Sequence, residues 1–518
     1  MRKRQLAALL LSIAIGCQAK KSEEAKAREP AGVVTADKGE QLAAGTAVAA
    51  PMPHARGDTG AGEGYKDYGT NAWIETAKDR LSTFAADVDT ASYTIVRRKL
   101  SEGTLPPTAA VRVEELVNYF RYAYGAPAAG EPFAVHMDAA PSPFNPGRHI
   151  LRVGVSTKAK SVSERKPVRL VFLVDVSGSM QSPDKLELAK RSLRVLVDNL
   201  KDGDTVALVT YAGSTRVVLP ATGLEHKHRI LAALDELTAG GSTGMASGIE
   251  LAYAEAAKGL APGVESRVLI LSDGDANVGP TSHQALLDLI AGKVKEGVML
   301  STIGFGMGNY QDETMEQLAN KGNGNNFYID GLSQAKRVFA EQLGSTLEVV
   351  AQDVKLQVDF DPRMVARYRL VGYENRDLAD DSFRDDKVDA GEIGAGHQVT
   401  ALYEVELVKD VDKRAPLATV RVRSKVPRAT SATEAAFAFD ARNLAASFAV
   451  APADLRFAFA TAAFADVLRG AEDAEHWDLA EIGRIAKAAA GDDADRQELV
   501  GLIDQARALK SDSASLAK

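Results

Sequence analysis

The chain has 518 residues, 45% of them hydrophobic and 25% charged; values so close to the globular average exclude a wholly disordered or collagen-like polypeptide and leave room for roughly two to four folded units. Its 62 Lys and Arg stand against 70 Asp and Glu, a net charge of −8, so a nucleic acid would meet net repulsion and is not expected as a partner. A single cysteine excludes an internal disulfide framework, a thiolate zinc cage and a CxxC redox pair.

The chain opens on Arg2, Lys3 and Arg4, followed by an apolar run from Leu6 to Ile15 and then Gly16 and Cys17. A basic start, a short apolar run and small residues outline a bacterial signal peptide. The run is too short for a transmembrane helix, which takes ~20 apolar residues, and no later segment is long and uncharged enough to span. Ala14-Ile15-Gly16-Cys17 resembles the lipobox of bacterial lipoproteins. The resemblance implies that residues 1–17 are a lipoprotein signal and that Cys17 carries the lipid, several acyl chains anchoring stably where one binds only marginally. The expected location is the cell envelope, at the periplasmic face or the outer membrane; Gln18 in place of Asp favours the outer membrane under enteric-type sorting.

Residues 18–75 shift to Ala, Gly, Pro, Lys and Glu with almost no β-branched or aromatic periodicity. Such a stretch buries too little surface to order itself and is expected to be a tether. It contains Arg56-Gly57-Asp58, the tripeptide that integrins read, but three letters in a low-complexity linker carry no weight.

Residues 76–160 are expected to form a small N-terminal α+β unit. Val113, Leu116, Val117 and Phe120 give Val111 to Tyr122 one apolar helical face, and Leu151, Val153 and Val155 alternate as a strand. No chemistry is visible there. Over residues 167–346 short apolar runs at Val168 to Val174, Thr205 to Tyr211, Arg267 to Leu271 and Met299 to Phe305 alternate with helical stretches at Asp184 to Leu200, Met245 to Leu260 and Ser282 to Glu296. Buried strands separated by helices predict an α/β, doubly wound, mostly parallel sheet, with its ligand crevice at the carboxyl ends of the strands. Over residues 347–450 the period becomes two, as in Val354, Leu356, Val358 and Phe360, which predicts an antiparallel sheet. Residues 451–518 read as helices, with one stripe at Phe457, Ala460, Phe464 and Val467 and another at Leu499, Leu502, Ile503, Ala506 and Leu509.

The residues that carry chemistry stand where the topology puts the crevice. The first buried strand ends in Asp175-Val176-Ser177-Gly178-Ser179. Alternation sends Asp175, Ser177 and Ser179 the same way, and Gly178 permits the tight turn that lets one carboxylate and two hydroxyls converge. Thr243 lies in Gly240-Gly241-Ser242-Thr243-Gly244 before a helix, and Asp273 follows a later strand in Ser272-Asp273-Gly274. All five side chains offer oxygen, and such a set suits Mg²⁺ or Mn²⁺ better than zinc or copper.

DxSxS after a buried strand, a Thr in a Gly/Ser-rich loop and an Asp after a later strand resemble the metal-ion-dependent adhesion site of von Willebrand factor type A domains. The resemblance implies that Asp175, Ser177, Ser179 and Thr243 approach the cation directly or through water and that Asp273 acts through a water. The order of Phe84 to Arg98, the type A domain and the strands around Gly396 to Val405 also resembles bacterial envelope lipoproteins. In these an associated N-terminal domain and a C-terminal domain of unknown function flank a type A domain.

Serine and threonine hydroxyls bring no charge, so a cation held by them and few carboxylates stays electrophilic. A vacant position would then attract an acidic side chain of a partner protein. The leading expectation is therefore a non-enzymatic, cation-dependent protein-binding module. The competing expectation is an envelope scaffold or chaperone-like assembly factor with a structural metal. A magnesium-dependent phosphatase of the haloacid-dehalogenase kind is a minor third: those enzymes use a DxD pair, and Ser177 stands where the second acid would protonate the leaving group. The Gly240 to Gly244 loop lacks the Lys of a P-loop, and Gly304, Gly306 and Gly308 miss the GxGxxG spacing, so no nucleotide is expected. Asp275 reads as a solvated turn residue, and His226 and His228 as exposed residues at a helix start.

Overall fold

The computed structural model describes residues 62–516 apart from 162, 275–279, 410–414 and 428; Cys17 and its lipobox, Arg56-Gly57-Asp58 and Asp275 lie outside the described residues. The central element is a six-stranded sheet, ordered in space as Asn326–Tyr328, Val298–Gly304, Glu265–Ser272, Val168–Asp175, Thr205–Tyr211 and Thr215–Gly223. Neighbours are parallel throughout except at the last edge. That antiparallel edge strand, exposed at several positions, has no continuous apolar run to announce it.

The parallel strands read as largely apolar runs because both faces are covered. Leu170, Phe172 and Val174 share a core with Leu193, Leu196 and Ile230 of the helices Leu186–Asp198 and Lys227–Asp235. Val171 and Leu173 point the other way, into a core with Met245, Ile249 and Tyr253 of the helix Met245–Ala257 and with Leu318 of Asp312–Lys321. Each such side chain contributes about 1.5–3 kcal/mol by leaving water. From Val168–Asp175 the chain passes to Thr205–Tyr211 on one side and returns to Glu265–Ser272 on the other. The crevice of this doubly wound sheet therefore opens at the carboxyl end of Val168–Asp175.

Antiparallel sheets and helices flank this domain, and they draw on both ends of the chain. One sheet runs Ile74–Glu75, Val365–Val371, Gln398–Leu407, Arg148–Thr157, Phe133–Pro141. The other runs Gly391–Gly394, Val349–Phe360, Pro416–Lys425, Ala432–Asp440, with Leu81–Ala85 also paired to Val349–Phe360. Leu151, Val153, Tyr368 and Tyr403 of the first sheet share a core with Leu356, Val358, Val420 and Val422 of the second. The two form a sandwich into which the doubly wound domain is inserted, so the strands within residues 76–160 complete a sheet with later strands instead of closing one of their own. Residues 62–75, read from sequence as the end of the tether, lie on the folded body: the Asn71 amide donates to the Leu370 and Gly372 carbonyls, and Ile74 pairs with Tyr368.

The expected C-terminal helices are Ala453–Arg469, Leu479–Ala490 and Ala494–Leu516. Phe457, Phe464, Leu499, Leu502 and Ile503 are buried together with Val113 and Leu116 of the helix Val113–Tyr119 and with Phe120 just after it. Gly470, at φ +71°, ends the first of these helices in the left-handed conformation that glycine adopts without strain. No helix among the described residues is long and apolar enough to cross a membrane.

Candidate metal centre

Asp175 closes the central strand and is 0% exposed. Its Oδ1 accepts the Ser177 N–H at 2.9 Å, and its Oδ2 accepts the hydroxyls of Tyr211 at 3.1 Å and Ser272 at 2.9 Å. Both flanking strands thus aim the carboxylate. Among the described residues no cationic side chain pairs with it. Burial raises its pKa, hydrogen bonds from Ser177 oppose the rise, and the Asp273 carboxylate adds to it. A buried carboxylate without a compensating charge either takes up a proton or binds a cation.

The Ser177 and Ser179 hydroxyl oxygens stand 3.0 Å apart. Adjacent ligand oxygens of an octahedral magnesium site, each at about 2.1 Å from the ion, are separated by about 3 Å. The two hydroxyls therefore match neighbouring corners of such a site without rearrangement. Gly178 donates its N–H to the Gly241 carbonyl at 3.0 Å, and Gly240 donates to the Val176 carbonyl at 2.8 Å. These bonds clamp the second loop to the first. Gly241 has φ +92°, which a side chain would strain, and half-buried Thr243 follows it just before the helix Met245–Ala257.

The third loop contributes Asp273, 0% exposed at the end of the strand Glu265–Ser272. Its Oδ2 accepts from Lys185 Nζ at 3.0 Å and from Asn309 Nδ2 at 3.0 Å, while Lys185 also donates to Asn309 Oδ1 at 2.6 Å. Sequence reasoning missed both partners. A lysine just ahead of an amphipathic helix reads as solvated, and an asparagine in a glycine-rich loop reads as a turn residue. The glycines of that loop were informative in another sense. A Cβ on Gly304 would fall 2.3 Å from the Tyr310 ring, and one on Gly306 would fall 2.3 Å from Lys185 Cε. Their spacing makes room for neighbouring side chains.

A second acidic group lies apart from these loops in sequence. The carboxylates of Asp87, Glu114 and Glu115 come within 4.8 Å of one another, all buried. Arg376 pairs with Asp87 at 3.0 Å and Arg112 pairs with Glu115, which gives this group its countercharge within the chain. His226 and His228 are both exposed.

The chain matches the von Willebrand factor type A domain family over residues 170–341, the von Willebrand factor family over 59–152, and the family described as uncharacterized protein YfbK, C-terminal, over 345–509. It is 39% identical to uncharacterized protein YfbK of Escherichia coli (strain K12) over 468 residues, covering 85% of this chain and 80% of that protein. The chain belongs to the YfbK family. Uncharacterized protein sll0103 of Synechocystis sp. (strain ATCC 27184 / PCC 6803 / Kazusa) is 27% identical over 41% of this chain and half of its own length, 50%. Among solved structures, von Willebrand factor type A from Catenulispora acidiphila is similar at 18% identity and a TM-score of 0.43, over 70% of this chain and 88% of that one. The type A domain of this YfbK-family chain is the doubly wound domain described above, and it holds Asp175, Ser177, Ser179, Thr243 and Asp273 on its carboxyl-end loops. Type A domains are protein-interaction modules, and the oxygen donors here suit the hard divalent ions that such domains commonly bind.

Proposed function

We propose that this YfbK-family chain is a non-enzymatic, divalent-cation-dependent protein-binding module of an exported envelope lipoprotein, anchored through Cys17. Asp175, Ser177, Ser179 and Thr243 hold Mg²⁺ or Mn²⁺, and Asp273 acts through a water. The ion supplies an electrophilic position for an acidic side chain of the partner. The observation that carries the reading is the Asp175 carboxylate, buried and without a cationic partner among the described residues, beside two hydroxyl oxygens 3.0 Å apart. A catalytic reading has less support: Ser177 occupies the position a second acid would need for proton transfer to a leaving group.

Affinity capture of envelope proteins on the full-length chain, with Mg²⁺ or with EDTA and repeated with Asp175→Ala, tests the proposal. The expected result is a partner retained only with the cation and lost with the variant, whose circular dichroism stays native. Retention indifferent to EDTA would replace this reading with a scaffold whose sandwich and C-terminal helices bind the client.

A further inference from the structure

Lys185 is the feature of the centre that the oxygen-donor pattern does not account for. Its side chain is 8% exposed, and its ammonium lies 3.0 Å from Asp273 Oδ2, against a carboxylate that is itself fully buried. Two other parts of the chain are shaped around it. Asn309 holds both ends of the pair, accepting from Lys185 through Oδ1 and donating to Asp273 through Nδ2. Gly306, at φ +79°, leaves the space through which the lysine stem passes, since a Cβ there would lie 2.3 Å from both Cγ and Cε. A buried ammonium is costly unless it is paired, so this placement is a built contact.

We propose that Lys185 is a resident countercharge of the metal centre, which keeps the bare cation weakly held and makes its uptake depend on an acidic partner. The inference rests on the metal reading above. Among the described residues, two carboxylates, one ammonium and one divalent ion leave a net positive charge of one, which a single carboxylate from outside cancels. Without that carboxylate, ammonium and metal ion repel each other in a site largely shielded from water. At an effective dielectric of about 20, repulsion between such charges several ångströms apart changes affinity by at least tenfold. Binding linkage is reciprocal, so a carboxylate that favours the metal is favoured by it to the same degree.

The test is a Mn²⁺ titration, followed by electron paramagnetic resonance, of the full-length protein in detergent. Lys185→Met is expected to bind Mn²⁺ at least tenfold more tightly than the wild type. Equal or weaker binding by a folded Lys185→Met protein overturns the proposal and leaves the metal centre standing, with Lys185 a structural pin. Absence of Mn²⁺ uptake by wild type and variant alike overturns both. Should Lys185→Met fail to fold, the wild type decides alone, with acetate as the probe carboxylate. Replacing chloride by acetate at constant ionic strength is expected to tighten Mn²⁺ binding beyond what acetate does for Mn²⁺ in buffer, and no such gain contradicts the proposal.

Discussion

The Glu63 carboxylate accepts the backbone N–H of Gly308 at 2.9 Å, one residue before the Asn309 that joins Lys185 to Asp273. The same carboxylate binds Arg98 at 2.6 Å and Lys99 at 2.9 Å, and Gly64 donates to the Tyr310 carbonyl at 2.9 Å. The segment that enters the folded body from the N-terminal side is therefore fastened to the loop beside the candidate metal centre.

Glu63→Ala removes a side chain 6% exposed and leaves Arg98 and Lys99 without it. A loss of about 3 kcal/mol is expected in urea unfolding. Burial alone would raise the Glu63 pKa, but the Gly308 N–H, Lys99 and Arg98 outweigh it and bring it to about 2. The folded value is thus below the ordinary one, so the stability Glu63 contributes is present above about pH 4.5 and fades as the pH falls toward 2. The difference between wild type and Glu63→Ala should shrink across that window; a constant difference would show that the charge is not what matters.

The opposite sign holds for the buried acids of the helix Val113–Tyr119. Burial first, then Glu374 and Asp87, raise Glu114 to about 7; for Glu115 burial outweighs the lowering by Arg112, and Asp87 adds to a value of about 8. Folded values above the unfolded ones give stability that is complete below about pH 4.5 and is lost as the pH climbs toward 8. The melting temperature should fall between about pH 4.5 and 8 and level off above that, and Glu114→Gln, which keeps a neutral side chain there, should flatten that fall. His397 works from the other side: burial, Arg121 and Arg267 lower it to about 3, so it costs stability as the pH drops below about 6.5.

Two buried arginines should respond differently to the same substitution. Arg112 pairs with Asp312 at 2.6 Å and Glu316 at 3.3 Å, and Arg112→Met strands those two carboxylates at a cost of about 3–5 kcal/mol. Arg267, 1% exposed, donates to Ser301 Oγ, and burial drags its pKa down to about 10. Methionine removes that desolvation penalty, so Arg267→Met should be neutral or more stable by about 1–2 kcal/mol. Chemical denaturation of both variants checks the contrast, and equal losses would refute it.

Cation binding should also appear as stability. A ligand present at a hundred times its dissociation constant stabilises the folded state by about 2.7 kcal/mol. Thermal unfolding with increasing Mg²⁺ should move upward for the wild type and stay fixed for Asp175→Ala. A rise shared by both proteins would place the ion elsewhere.

Much of the type A domain is legible in the sequence because parallel strands covered on both faces are apolar at successive positions, as Leu170 to Val174 is. DxSxS is legible for a related reason: alternation and one glycine bring its oxygens together locally. The sandwich is not, since Arg148–Thr157 pairs with Gln398–Leu407 across the whole inserted domain, and nothing local in either strand names its neighbour. Lys185 and Asn309 escape for the same reason, their role arising from three loops meeting in space. Residues 62–75 look like linker because their contacts are backbone bonds and single anchors, such as Trp73 beneath Arg148 and Arg367, with no apolar period.

The proposed centre has a divalent ion among Asp175, Ser177, Ser179, Thr243 and Asp273. Crystals grown with Mn²⁺ and measured at a wavelength where manganese scatters anomalously address it directly. One anomalous peak is expected about 2.1–2.2 Å from both serine hydroxyl oxygens, a distance set by the octahedral coordination of such ions. A map with no peak at these loops, at a Mn²⁺ concentration that fills exposed sites elsewhere, would contradict it.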